Sequence, residues 1–266
     1  MYDSSIDHWC GRFGNNIQQL VNGIYYSQEN ELTFISPDND LINPFTVSFG
    51  DGIAQSNIYF FHVNSVTKQG NANFSCNVSE LKKSRREIGK YIFPNLKVNF
   101  NNIKKMDNNT IVIHIRSGDI FTRKNYYCPV VSRYIQNPLK YYTDIIKNFD
   151  RCIILTEDYM NPVTSELEKL PNVEVKITSL KETIEIMLSA TNLASSGISS
   201  FPVACAILSE NIENMYTSNI YLDEILNHTD LNGINVHITN IDFDRYMKND
   251  EWLNNDEQLK LMLEYE

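Results

Sequence analysis

Between Thr110 and Glu210 short apolar runs alternate with helical runs, and no other feature restricts the fold as much. The strand-like segments TIVIHI, CIILTED, VEVKI and NLASS are each followed by a helical one: PLKYYTDIIKNF, NPVTSELEKL, SLKETIEIMLSA and SFPVACAILSE. Strands separated by helices of about ten residues indicate βαβ units around a parallel sheet, an α/β fold. NMYTSN adds a further strand, and DFDRYMKNDEWLNNDEQLKLMLEYE is expected to close the chain as helix. With 266 residues, 42% of them hydrophobic, the chain can bury one large core or two small ones.

The N-terminal part reads differently. FGNNIQQLVNGIYYSQEN carries Ile17, Leu20, Val21, Ile24 and Tyr25 at the 3, 4, 7 spacing of one helical face, so a helix is expected to start at the glycine-rich GRFG. ELTFIS follows as a short strand. Residues 37–80 are rich in Asn, Asp, Ser and Gly and are expected to be irregular, with short strands such as NIYFFHV. Within it, Tyr59, Phe60 and Phe61 suit either the core or the face of a sugar ring. A basic helix is expected over 79–93, and the change of pattern near residue 105 divides the chain into domains 1–105 and 106–266.

The formal net charge of −10 argues against nucleic acid or an anionic membrane surface as the general partner. No run approaches the length of a membrane helix, and the N-terminus lacks the pattern of a signal peptide, so a cytoplasmic protein is expected. Cys10, Cys76, Cys128, Cys152 and Cys205 are odd in number and scattered, which favours reduced, partly buried thiols over a disulfide framework or a zinc site. The sequons at Asn73, Asn77, Asn108 and Asn227 read as chance in a chain rich in Asn and Ser.

In an open parallel sheet, ligands bind beyond the carboxyl ends of the strands. There the first strand delivers His114, Arg116 and Asp119, and the second Thr156, Glu157 and Asp158. The fourth delivers Ser195, Ser196, Ser199, Ser200 and Phe201 at a helix start. An arginine fork and the unpaired first amides of a helix both suit phosphate, while carboxylates suit ribose hydroxyls or purine ring donors, so the set describes a nucleotide pocket. Each part also has a plainer reading. Arg116 can pair with Asp119 as a structural ion pair, a serine can simply cap the helix, TED can be a solvated loop, and GRFGNN can be a tight turn.

Taken in order, the motifs resemble the fucosyltransferases that share a GRxGNQ-type loop, among them the bacterial α1,2-fucosyltransferases and the protein O-fucosyltransferases. GRFGNNIQQL is similar to their first motif, IVIHIRSGD to the HxRRxD or HxR motif, CIILTED to the strand that follows, and SSGISSFPVACAIL to the serine and phenylalanine segment. The resemblance implies a GT-B-like architecture, two facing Rossmann-like domains with parallel sheets, the first on the acceptor side and the second holding the donor. It implies a metal-independent, inverting transfer of L-fucose from GDP-β-L-fucose to a glycan hydroxyl, with no cofactor and no metal. On the matching positions, Arg116 would hold the diphosphate and His114 would support it or the sugar. Asp158 would bind the guanine or ribose, and Ser199, Ser200 and Phe201 would bracket the nucleotide. Gly11, Arg12, Phe13, Gly14 and Asn15 would form a loop closing over the donor.

Departures from the pattern bear on the donor. Ser117 stands where a second arginine is common, Pro202 and Val203 replace a tryptophan pair, and Asn16 replaces the glutamine. A related transferase using another GDP- or UDP-sugar, such as xylose or rhamnose, and a noncatalytic nucleotide- or glycan-binding relative are the alternatives. A dehydrogenase is disfavoured, because GRFGNN lacks the GxGxxG fingerprint and a clear strand before it. Asp119, ahead of Asp7 and His8, is the first candidate for a general base.

Overall fold

The computed structural model describes residues 4–6, 8–9, 11–50, 58–60, 66–68, 78–122, 134–197, 199–220, 231–247 and 251–266. Two sheets organise them. The first is built from β1 (Ser4–Ser5), β2 (Thr33–Ser36), β3 (Phe45–Ser48), β4 (Ile58–Phe60) and β5 (Val66–Lys68), in the order β3-β2-β1-β4-β5. Its centre, β2-β1-β4, is parallel, and β3 and β5 pair antiparallel on either side. β1 leads through the GRFG loop into α1 (Phe13–Glu29), so that loop lies at the carboxyl end of a central strand. A strand of two serines has no periodicity to read, which is why the sequence does not reveal it.

The second sheet is entirely parallel. β6 (Thr110–His114), β7 (Arg151–Leu155), β8 (Val173–Lys176), β9 (Asn192–Ala194), β10 (Asn214–Ser218) and β11 (Asn235–Thr239) lie in the order β11-β10-β9-β6-β7-β8. Counted along the chain, that is the Rossmann order 3-2-1-4-5-6, whose winding reverses between its first and fourth strands, here β6 and β9. Register follows the alternation of side chains. Ile111 and Ile113 face one helical layer, while Val112 faces the other. α3 (Leu139–Ile146), α4 (Pro162–Leu167) and α8 (Asp256–Glu264) cover the first face; α5 (Leu180–Ser189) and α6 (Ser200–Leu208) cover the second.

α1 packs on both α6 and α2 (Val78–Ile92), and this joins the two sheets into one continuous apolar core. Ile17, Leu20 and Ile24 from α1, Ile88 and Ile92 from α2, and Val203 and Ile207 from α6 are all within it and buried. Each such side chain removed from water contributes roughly 1.5–3 kcal/mol. Helix ends are set locally: Asn161, Ser179, Ser199 and Asn255 accept from backbone N–H groups in the first turns of α4, α5, α6 and α8.

One strand lies outside the expected elements, and one expectation changes. INVHIT forms β11, an edge strand that is largely exposed, so it carries no core-facing stripe. The terminal helix is broken: α7 (Phe243–Tyr246) ends early, Asn254 adopts a left-handed φ of 51°, and Asn255 then caps α8. Asparagine tolerates that conformation and initiates helices, so Asn254 and Asn255 turn the chain into α8.

Candidate functional site

The winding reversal brings the ends of β6 and β9 side by side, with Ile113 registered against Ala194. His114, the last residue of β6, points to the α6 side, where its ring meets Phe201 edge-on with centroids 5.2 Å apart. Burial, reinforced by the neighbouring Arg116 charge, lowers its pKa to about 3. The imidazole is therefore neutral at physiological pH, and its Nδ1 has no hydrogen-bond partner among the described residues. A neutral ring orients and fills here; it is not a source of positive charge.

Arg116 follows in the loop, largely buried, with Nη2 donating to Asp119 Oδ1 at 2.6 Å. Its Nε is buried and unbonded among the described residues. A turn over Gly118–Ile120 carries Asp119, and Gly118 takes a φ of +65° with Glu157 lying over it. Arg12 reaches across from the GRFG loop to the same place. Its Nη2 is 3.7 Å from Asp119 Oδ2, and its Nη1 is 3.4 Å from Glu157 Oε2. Asp119 thus lies between two guanidinium groups, one from each sheet's loops. Arg12, Asp119 and Glu157 are well exposed, and pairs of this kind contribute about 0–1 kcal/mol, so an anion of higher charge can take the guanidiniums over at little cost.

The N-terminus of α6 forms the other wall. Ser199 caps it by accepting from the Phe201 N–H at 3.4 Å, and Ser200 Oγ donates to Asn15 Oδ1 at 3.1 Å. Phe13 meets Phe201 edge-on at 5.5 Å. Gly14 is required by close approach: a Cβ there would come within 2.7 Å of the Ser200 carbonyl carbon and 2.9 Å of the Phe201 nitrogen. Gly11 turns the loop with a φ of +66°. Ser196 Oγ is buried and unbonded among the described residues, close to the same strand end.

The structure brings together Arg12, Phe13, Gly14, Asn15, His114, Arg116, Asp119, Ser199, Ser200 and Phe201, all expected from the sequence. Asp158 has a local task. Its Oδ1 accepts from the Ser117 hydroxyl and from the Met160 N–H, the latter at 2.8 Å. Ser117 in turn accepts from the Asn161 N–H at 3.0 Å, and Asn161 Nδ2 donates to the Arg116 carbonyl at 2.9 Å. The loops after β6 and β7 are thereby tied, and Ser117 is fully buried at the tie. Glu157, one residue earlier, faces Arg12. The residues alone place both carboxylates at the strand end without choosing between them.

The plainer readings of two motifs are present as well. Arg116 does pair with Asp119, and Ser199 does cap α6. Neither exhausts the arrangement, because a structural pair needs no second arginine from another sheet.

His8 is exposed, its carbonyl accepting from Gln19 at 3.0 Å. Asp7, Cys10, Phe61, Asn73, Cys76, Asn77, Cys128 and Asn227 lie outside the described residues, and of Tyr59 and Phe60 only the strand backbone is described. Cys152 and Cys205 are buried free thiols, and burial pushes Cys152 up to about 12. No helix among the described residues is long and apolar enough to cross a membrane.

No family model and no curated protein match the chain. Among solved structures it is similar to that of NodZ alpha-1,6-fucosyltransferase soaked with GDP-fucose, with a TM-score of 0.43 and 12% sequence identity, covering 79% of this chain and 93% of that one.

Proposed function

We propose that the protein is a metal-independent, inverting glycosyltransferase that transfers L-fucose from GDP-β-L-fucose to a hydroxyl of a glycan acceptor, in a GT-B-like arrangement of domains 1–105 and 106–266. One observation carries the reading: Arg12 and Arg116, from loops of different sheets, converge on Asp119 at the point where the winding reverses, beside the N-terminus of α6. Anionic groups are held at such helix ends and by arginine forks. The choice of fucose and of GDP rests on the resemblance of GRFGNN, HIRSGD and SSGISSF to fucosyltransferase motifs.

In the reaction, the bond from the anomeric carbon to the diphosphate oxygen breaks and its electron pair stays on that oxygen. The acceptor hydroxyl forms the new bond from the opposite face and gives up its proton. Negative charge grows on the leaving diphosphate, and Arg116, Arg12 and the first amides of α6 supply fixed positive potential toward it. Neutral His114, packed against Phe201, supports the sugar end without adding charge. Asp119 stays the first candidate for the base: displaced from the arginines by the diphosphate, its carboxylate becomes available for the proton.

The test incubates the purified protein with GDP-β-L-fucose, other GDP-sugars and UDP-sugars together with a panel of oligosaccharides, and measures nucleoside diphosphate release and glycan mass. Transfer of a deoxyhexose, unaffected by EDTA, is expected. Removing a fixed donor of this kind costs roughly 2.7–4 kcal/mol of barrier, so Arg116→Ala lowers kcat at least about a hundredfold. Near-native turnover by a folded Arg116→Ala protein would overturn the assignment, and transfer from a UDP-sugar alone would keep the site and change the donor.

A further inference from the structure

We infer that the C-terminal arm, residues 251–266, positions Arg116 and Asp119 by gripping the backbone of their loop, with Trp252 and Asn254 as the positioning residues. Trp252 is fully buried, and its Nε1 donates to the Ile120 carbonyl at 3.1 Å. Asn254 Nδ2 donates to the next carbonyl, that of Phe121, at 2.9 Å. The Trp252 and Phe121 rings meet edge-on at 5.4 Å. Two successive peptide planes are therefore fixed by side chains from more than a hundred residues further along the chain.

Three more carbonyls of the loop accept hydrogen bonds. Arg116 O accepts from Asn161, Gly118 O from the Phe121 N–H, and Asp119 O from the Thr122 hydroxyl. The grip from the arm adds the carbonyls of Ile120 and Phe121, so the path of the left-handed Gly118 turn, and with it the direction of Asp119, has little freedom. The arm is itself anchored. α8 packs on α3 and α4, Gln258 Oε1 accepts from the Leu253 N–H at 2.8 Å, and Gln258 Nε2 donates to Glu251 O at 2.6 Å. A frayed terminus makes no such closed network.

The catalytic consequence rests on the proposed glycosyltransferase reading; the grip does not. The test uses the full chain with Trp252→Phe, which keeps a large ring and removes the N–H, and Asn254→Gly, which keeps the left-handed φ and removes the amide. Hydrogen exchange followed by mass spectrometry should show residues 118–122 exchanging about fivefold faster in each variant, the effect of one lost hydrogen bond, while the peptides of α1 and α6 hold their protection. GDP titrated calorimetrically should bind about fivefold more weakly to Trp252→Phe, and the same substitution should have no further effect in an Arg116→Ala background, because it acts through that residue. Unchanged exchange at 118–122, protection lost evenly across the chain, or affinity losses that simply add would overturn the inference. If the wild-type protein takes up no nucleotide, the function is refuted while the exchange measurement still decides the grip.

Discussion

Gly14→Ala sets helix propensity against packing, and the distances decide which wins. A Cβ at this position would stand 2.7 Å from the Ser200 carbonyl carbon and 2.9 Å from the Phe201 nitrogen. Comfortable separation of carbons begins near 3.5 Å, so α1 and α6 must part by about 0.8 Å at this contact. Both atoms belong to the first turn of a capped helix, which leaves no flexible side chain to absorb the shift. Alanine would gain at most about 1 kcal/mol of helix propensity, less so close to the helix start. Overpacking costs about 1–3 kcal/mol, and here it also strains the α1–α6 core containing Ile17, Leu20, Val203 and Ile207. A net loss of about 1–2 kcal/mol is expected by urea unfolding, with a Tm lower by roughly 2–8 °C for a chain of this size. The same displacement withdraws Arg12 from Asp119, so GDP should bind more weakly as well. Equal or greater stability of Gly14→Ala, with unchanged affinity, would refute the reasoning.

Acid should weaken the fold through His114. Its folded pKa of about 3 lies below the ordinary 6.5, so the unfolded chain binds the extra proton; this contribution is complete above pH 6.5 and is lost as pH falls toward 3. Between pH 7 and pH 5 it amounts to about 2 kcal/mol, and urea unfolding of His114→Asn should show a loss smaller by that amount than the wild type. Ser199→Ala should destabilise the protein by about 1 kcal/mol in the same assay, by leaving a first-turn amide of α6 without its cap. Gly118→Ala forces an alanine to a φ of +65° beneath Glu157 Oε1 at 2.5 Å. A cost of roughly 1–2 kcal/mol is expected by urea unfolding. A Gly118→Ala protein as stable as the wild type would contradict the placement of that turn.

Most of the second sheet can be read from the sequence because its elements show their periods, and α4, α5 and α6 each start at a capping residue. The period is also clear in α1, whose buried face runs through Ile17, Leu20, Val21 and Ile24. What is illegible is short or exposed: β1, two serines at the centre of a sheet, and β11, an edge strand without a core stripe. At the site, residue types foretold which side chains gather, but not how they pair. The Arg116–Asp119 pair is local and could be read, but that Asp119 also meets Arg12, that Glu157 rather than Asp158 meets Arg12, and that Ser117 and Asn161 tie two loops together depend on contacts across sequence separations no local pattern encodes. The hold of Trp252 and Asn254 on residues 120 and 121 is of the same kind, across separations of 132 and 133 residues.

The central claim is that the crest between β6 and β9 binds a nucleoside diphosphate through Arg116. Isothermal titration of GDP into the wild-type protein and into Arg116→Ala tests it most directly. The account predicts a single site in the wild type and at least about tenfold weaker binding in the variant, the weight of charge-assisted hydrogen bonds to phosphate. Absence of GDP binding to the wild type, or equal affinity in a folded Arg116→Ala protein, would contradict it.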